Sequence, residues 1–202
     1  MQQGQKLNDS EGNQVALFPL DYMYITQGEF GEFSHQGSRA IDFVGRPPNR
    51  ERYPYYAPVD LKMVYHGGLG SYYYESLEPV RWVNGTLDYI TVWVVHDDTD
   101  YPLGRIVQQG GLLGRTGTTG YVTGDHAHIE VAQGKFAGGY HNEFDVFMLH
   151  NQVSMINVFA INDTDIDEDY GYNWKSYTGG VIPPDPTQKK GLPIWLMGQK
   201  IR

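Results

Sequence analysis

Residues 124–131, Gly-Asp-His-Ala-His-Ile-Glu-Val, alternate polar and apolar side chains with a period of two. An extended strand turns that period into two faces, so His126, His128 and Glu130 line one side and Ala127, Ile129 and Val131 the other. A chain built round such a stretch folds as a sheet with one chemical face and one packing face. Two imidazoles on one strand face stand roughly 7 Å apart, too far to share one metal ion easily. They suit a division of labour, in which one ligates a metal and its neighbour faces a substrate. A His-x-His by itself reads as a sheet surface that carries two histidines, so the other ligand-type residues decide.

The rest of the chain favours the same architecture. With 25 glycines, 16 tyrosines and few long helical periods among 202 residues, it reads as mainly β, with many short strands joined by tight turns. Tyr22–Ile25 is a short strand. Ala40–Val44 is a buried strand carrying Asp42, whose carboxylate needs a metal ion or a cationic side chain because burying it alone is costly. Leu61–Tyr65 alternates as a half-buried strand, and Tyr89–Val95 is the clearest strand, ending in His96. Residues 105–114 predict a hairpin turning at Gln109-Gly110. Residues 115–124 form a glycine-rich connection with no Gly-Lys-Ser/Thr and no helix to follow, which excludes a phosphate loop. Tyr72-Tyr73-Tyr74 reads as a strand edge or a groove wall, and Phe144–Leu149 as a short helix or strand.

Four segments are expected: an N-terminal leader on the domain edge (1–21), the main domain (22–150), an acidic and aromatic extension (151–179), and a Pro-rich linker with a basic, apolar tail suited to docking on a partner (180–202). The alternate acids of 163–169 resemble a calcium loop. However, Glu168 stands where glycine is needed and Trp174 where the bidentate glutamate belongs, so a solvated acidic loop is expected.

Composition removes several function classes. The chain has no cysteine, hence no thiolate metal site or cysteine nucleophile. A net charge of −9 with 15 Lys and Arg argues against a nucleic-acid partner. No apolar run approaches bilayer thickness and no apolar h-region follows Met1, so neither a membrane span nor a secretion signal is expected. A chain of this length buries a core without metal staples, so a metal would serve chemistry.

His35, Asp42, His96, His126 and His128 each fall at or beside an expected strand end. Around them lie Ile25-Thr-Gln-Gly-Glu-Phe-Gly, His35-Gln-Gly-Ser-Arg-Ala-Ile-Asp42-Phe, Tyr55-Tyr-Ala-Pro-Val, Val95-His96, the glycine-rich run 106–120 and Gly124–Val131. In this order, over residues 22 to 135, the chain resembles the lysostaphin-like, M23-type zinc endopeptidases, phage-borne members above all. The resemblance implies a lysostaphin-like antiparallel β-sheet groove domain, here with a loop-rich C-terminal extension, and one zinc ion held by His35, Asp42 and His128. It implies that His96 and His126 handle the attacking water and the oxyanion, either one serving as general base. Glu130 is expected either to support His128 or to form a surface ion pair. His66, His141 and His150 match no motif position and are read as structural or exposed.

One departure is that the family usually has three residues between the first His and the Asp, whereas six separate His35 from Asp42. A flexible Gly37-Ser38 is expected to absorb the difference. The implied activity is hydrolysis of peptide bonds in bacterial peptidoglycan, in stem peptides or cross-bridges. The implied setting is a phage tail in the virion, with tail proteins as partners and the host cell wall as target. The alternatives are an endolysin kept in the host cytoplasm until lysis, and an inactive M23-like structural or wall-binding tip.

Overall fold

Alternating short runs punctuated by glycine become fourteen strands and one helical turn over residues 1–179, the part of the chain that the computed structural model describes. The linker and tail expected at 180–202 lie outside the described residues. The strands are β1 (Tyr22–Gln27), β2 (Ile41–Phe43), β3 (Pro54–Tyr56), β4 (Leu61–His66), β5 (Ser71–Ser76), β6 (Val80–Arg81), β7 (Leu87–Asp88), β8 (Ile90–Val95), β9 (Ile106–Val107), β10 (Leu112–Arg115), β11 (Ala127–Gln133), β12 (Gly139–His141), β13 (Phe147–Leu149) and β14 (Asp165–Glu168). The helical turn α1 spans Met155–Val158. No helix among the described residues is long and apolar enough to cross a membrane.

Eight strands form one sheet in the order β14-β1-β2-β11-β8-β5-β4-β9. Its pairings are antiparallel except β1 with β14, which is parallel. Period-two alternation gives the sheet two faces. Ile41 and Phe43 of β2, Tyr72 and Tyr74 of β5, Ile90, Val92 and Val94 of β8, and Ala127, Ile129 and Val131 of β11 point into the main core. Tyr73, Trp93, His128 and Glu130 occupy the opposite face, where Leu149 and Phe147 of β13 pack over Tyr73 and Trp93. Each large apolar side chain fully buried in this way contributes about 1.5–3 kcal/mol.

Several expectations are corrected. Residues 15–20 are not a leader on the edge: Ala16, Phe18 and Leu20 are fully buried in the main core. Phe18 meets Phe43 and Trp174 edge-on, each at 5.2 Å between ring centroids, and so ties the N-terminal segment both to β2 and to residues far along the chain. The three tyrosines lie in an interior strand, not at an edge. β9 and β10 do not form a hairpin. β9 pairs with β4 and β10 with β3, because the buried Gln109 side chain donates to the Val15 and Pro58 carbonyls and draws the connection across the core. Of the two forms expected for 144–149, residues 147–149 take the strand, as expected in part, and pair with β12. The acidic stretch is not a loop. Its residues 165–168 form β14, the edge strand of the main sheet, with all four side chains exposed, and charge on an edge blocks further strand pairing.

Candidate functional site

The register of the sheet brings the chemistry together. His128 lies directly opposite Asp42 of β2 on one side and Val95 of β8 on the other. Cross-strand neighbours share a face, with Cβ atoms about 4.5–5.5 Å apart, so Asp42 and His128 meet without any loop to steer them. His35 arrives from the loop between β1 and β2. That loop is not slack: the His35 amide donates to Gly31 O at 3.0 Å and the Ser38 amide to His35 O at 2.8 Å. Gly37 turns with φ 77° against Asn142, a conformation that favours glycine. Ser38, expected to be flexible, is fully buried and donates its hydroxyl to Glu130 Oε1 at 2.9 Å.

Three ligand-type atoms converge. His35 Nε2 lies 3.2 Å from Asp42 Oδ1 and 3.2 Å from His128 Nδ1, and His128 Nδ1 lies 3.1 Å from Asp42 Oδ1. His35 Nδ1 sits 3.0 Å from Gly28 O. A carbonyl only accepts, so Nδ1 carries the proton and Nε2 presents a lone pair. A lone pair and a carboxylate oxygen at this separation repel unless a proton or a metal ion stands between them. A tetrahedral zinc with bonds of about 2.0–2.1 Å sets neighbouring ligand atoms about 3.3 Å apart, close to the triangle seen. The donor set therefore fits a zinc ion, with two imidazoles and one carboxylate as ligands and room for a fourth ligand from the groove. His35 and Asp42 are buried, His128 partly so.

The electrostatics follow from this crowding. Burial opposes charge on Asp42, but a hydrogen bond from His128 and the closeness of both imidazoles outweigh it and hold the carboxyl far below its usual range. Burial likewise opposes charge on His128, yet Asp42 and Glu130 prevail and raise it to about 9. Glu130 is fully buried, so the surface ion-pair expectation is corrected. Its carboxylate accepts from Ser38 Oγ, the Leu149 amide and Gln152 Nε2, and its Oε1 lies 3.8 Å from His128 Nε2. Ser38 and Gln152 thus brace the residue behind His128. Neither carried a sequence signal, since their role depends on contacts across 92 and 22 residues.

His96 and His126 form a second group, with ring centroids 4.4 Å apart. Continuing the alternation of β8 would send His96 into the core, but its φ of +81° breaks the strand there. Its Nδ1 donates to Thr119 O and that of His126 to Gly124 O, both at 2.8 Å. Each ring therefore keeps a bare Nε2. That of His126 lies 3.8 Å from Asp42 Oδ2. Burial lowers His96 to about 4, with the Thr119 carbonyl opposing only in part. Asp42, His96, His126 and His128 line a groove of about 780 Å³, whose rims carry Phe33 (69% exposed) and Tyr121 (94% exposed). His66, His141 and His150 do not line it.

No family model matches the chain. Over 169 residues it is 40% identical to Morphogenesis protein 1 of Bacillus phage B103, covering 83% of this chain and 46% of that protein. The chain thus spans about half the length of the curated relative it matches. Solved structures with some likeness include lysostaphin from Staphylococcus simulans, at 17% identity and TM-score 0.42 over 66% of this chain and 64% of that one. LytU is similar at 23% identity and TM-score 0.39 over 65% and 82%. A zinc-containing peptidase from Vibrio cholerae is similar at 19% and 0.39 over 63% and 43%.

Proposed function

We propose that the chain is a zinc metalloendopeptidase that hydrolyses peptide bonds of bacterial peptidoglycan and works as a tail-associated wall-degrading protein of a phage. The observation that carries the reading is the triangle of His35 Nε2, Asp42 Oδ1 and His128 Nδ1 at 3.1–3.2 Å, of which Asp42 and His128 line the same groove as the His96–His126 pair. Zinc held there would supply a Lewis acid for the scissile carbonyl and would acidify water toward a pKa of about 7. The chain's own work is orientation and proton traffic. Gly28 O fixes the His35 ring, Glu130 backs His128, and Thr119 O and Gly124 O fix the other two rings. The bare Nε2 atoms of His96 and His126 take a proton from the attacking water and return it to the departing amine. The protonated member of the pair donates to the oxyanion.

The choice of peptidoglycan rests on the motif resemblance over residues 22–135. The phage setting is supported by the 40% identity to a phage morphogenesis protein. Digestion of defined peptidoglycan with and without a chelator tests the reading: cleavage that stops with chelator and returns with zinc is expected. Absence of stoichiometric zinc, together with unchanged wall turnover after His128→Ala, would sink it. Mass spectrometry of purified particles tests the tail assignment, and a chain found only in lysates would favour the endolysin instead.

A further inference from the structure

A polar bracket stands behind His96. Asp97 is fully buried. Its Oδ1 accepts from Arg52 Nη1 at 3.1 Å and the Thr99 amide at 2.9 Å; its Oδ2 accepts from the Arg115 amide at 2.8 Å and the Tyr101 hydroxyl at 3.1 Å. Asp98 extends the bracket to the groove. Its Oδ2 accepts from the same Arg52 Nη1 at 3.0 Å, while its Oδ1 accepts from the Thr118 amide at 3.0 Å and the Thr119 hydroxyl at 2.7 Å. Thr119 then holds His96 twice. Its amide donates to His96 O at 3.2 Å, and its carbonyl accepts from the ring Nδ1 at 2.8 Å.

Arg52 also reaches towards the second histidine. Its Nη1 donates to Thr116 O at 3.3 Å and its backbone amide to Asp125 Oδ2 at 3.2 Å, next to His126. The packing leaves little slack: a Cβ on Gly117 would stand 2.2 Å from His96 O, and one on Gly70 2.8 Å from Thr119 Cβ.

We propose that Asp98 and Arg52 are positioning residues. By fixing the Thr119 carbonyl, they hold His96 in the Nδ1–H tautomer with Nε2 aimed into the groove. The inference rests on the peptidase reading of this site and adds residues that the motif resemblance does not assign. The physical reason is tautomer selection. A neutral imidazole can carry its proton on either nitrogen, and a fixed carbonyl at 2.8 Å selects one. Asp98 touches no reacting atom, so its influence passes through Thr119.

The test uses the full zinc-loaded chain with Asp98→Ala, Thr119→Val and Thr119→Ser, read by hydrolysis of defined peptidoglycan and by ¹⁵N spectra of the imidazoles. Asp98→Ala and Thr119→Val should keep their zinc and a KM within about twofold of wild type, while kcat falls about tenfold to a hundredfold. The His96 resonances should move from the Nδ1–H form toward a mixture. Thr119→Ser, which keeps the hydroxyl, should restore both readouts. Unchanged kcat in Asp98→Ala and Thr119→Val, or an unchanged His96 spectrum in both, overturns the proposal. If Asp98→Ala does not fold, the Thr119→Val and Thr119→Ser pair decides. If the wild type cleaves nothing, the peptidase reading fails, and the His96 spectrum alone then decides the bracket.

Discussion

The four histidines of the site fall into two pairs that the fold treats in opposite ways. His35 and His128 each turn a ring nitrogen toward the Asp42 carboxylate. Burial opposes charge on His128, but Asp42 and Glu130 overcome it and raise the ring to about 9. His96 and His126 are anchored by backbone carbonyls, and burial leaves His96 neutral, lowered to about 4. On the proposed reading the same side chain serves as a cation seat in one place and as a bare proton acceptor 6.0 Å away, measured between the His96 and His128 rings. What differs is how close a carboxylate stands to the ring: a nitrogen of His35 and one of His128 lie within 3.2 Å of Asp42 Oδ1, whereas His126 comes no nearer than 3.8 Å to Asp42 and His96 makes no such pair. A carboxylate invites positive charge, while a carbonyl fixes only the tautomer.

The largest expected effect comes from breaking the first pair. His128→Ala should abolish both zinc binding and peptide hydrolysis, checked by metal analysis and turnover on defined peptidoglycan. Breaking the second pair should separate the two properties. His96→Ala or His126→Ala should keep the metal while kcat falls by about 10²–10⁴-fold, the range for losing a general acid or base. Equal loss of zinc in either variant would erase the contrast between the pairs.

A smaller effect is expected behind the first pair. Glu130→Gln replaces a buried carboxylate that accepts from three donors with an amide that must turn a donor toward at least one of them. Zinc affinity should fall by about 10–100-fold, measured by competition with a chelating dye, and affinity within twofold of wild type would contradict the bracing role. The smallest effect is on stability in chelator-treated protein. The folded His128 is raised from 6.5 to about 9, so its contribution is fully present below pH 6.5 and lost as pH rises toward 9. His96 is lowered from 6.5 to about 4, so its contribution is present above pH 6.5 and lost as pH falls through 4. Thermal melts across that span should show wild type losing stability on the alkaline side more steeply than His128→Ala, and a parallel pair of curves would contradict the assignment.

What the sequence made legible was local. The alternation of residues 126–131, the apolar run of 90–95 and the lone acid in 41–43 are period-two signals, and each became a strand. What it hid depends on distant contacts. Nothing near Glu130 announces that Ser38, Leu149 and Gln152 will surround it, and nothing in 15–20 announces a place beneath Phe43 and Trp174. The six residues between His35 and Asp42 looked like surplus length. They include Ser38, whose hydroxyl ties the loop to Glu130, so the longer spacing adds a brace where slack was expected. Likewise the acids of 163–169 resembled a loop because their exposed side chains carry no apolar alternation. Parallel pairing with β1 makes residues 165–168 the edge of the sheet.

The central claim is that one zinc ion sits on the first pair with Asp42 and the second pair stands free of it. X-ray absorption at the zinc edge, on wild type and on single alanine variants of all five residues, tests this most directly. The account predicts one zinc per chain with two imidazole ligands and one carboxylate, lost in His35→Ala, Asp42→Ala and His128→Ala and retained in His96→Ala and His126→Ala. A chain that binds no zinc, or a zinc whose imidazole count falls in His96→Ala or His126→Ala, would contradict it.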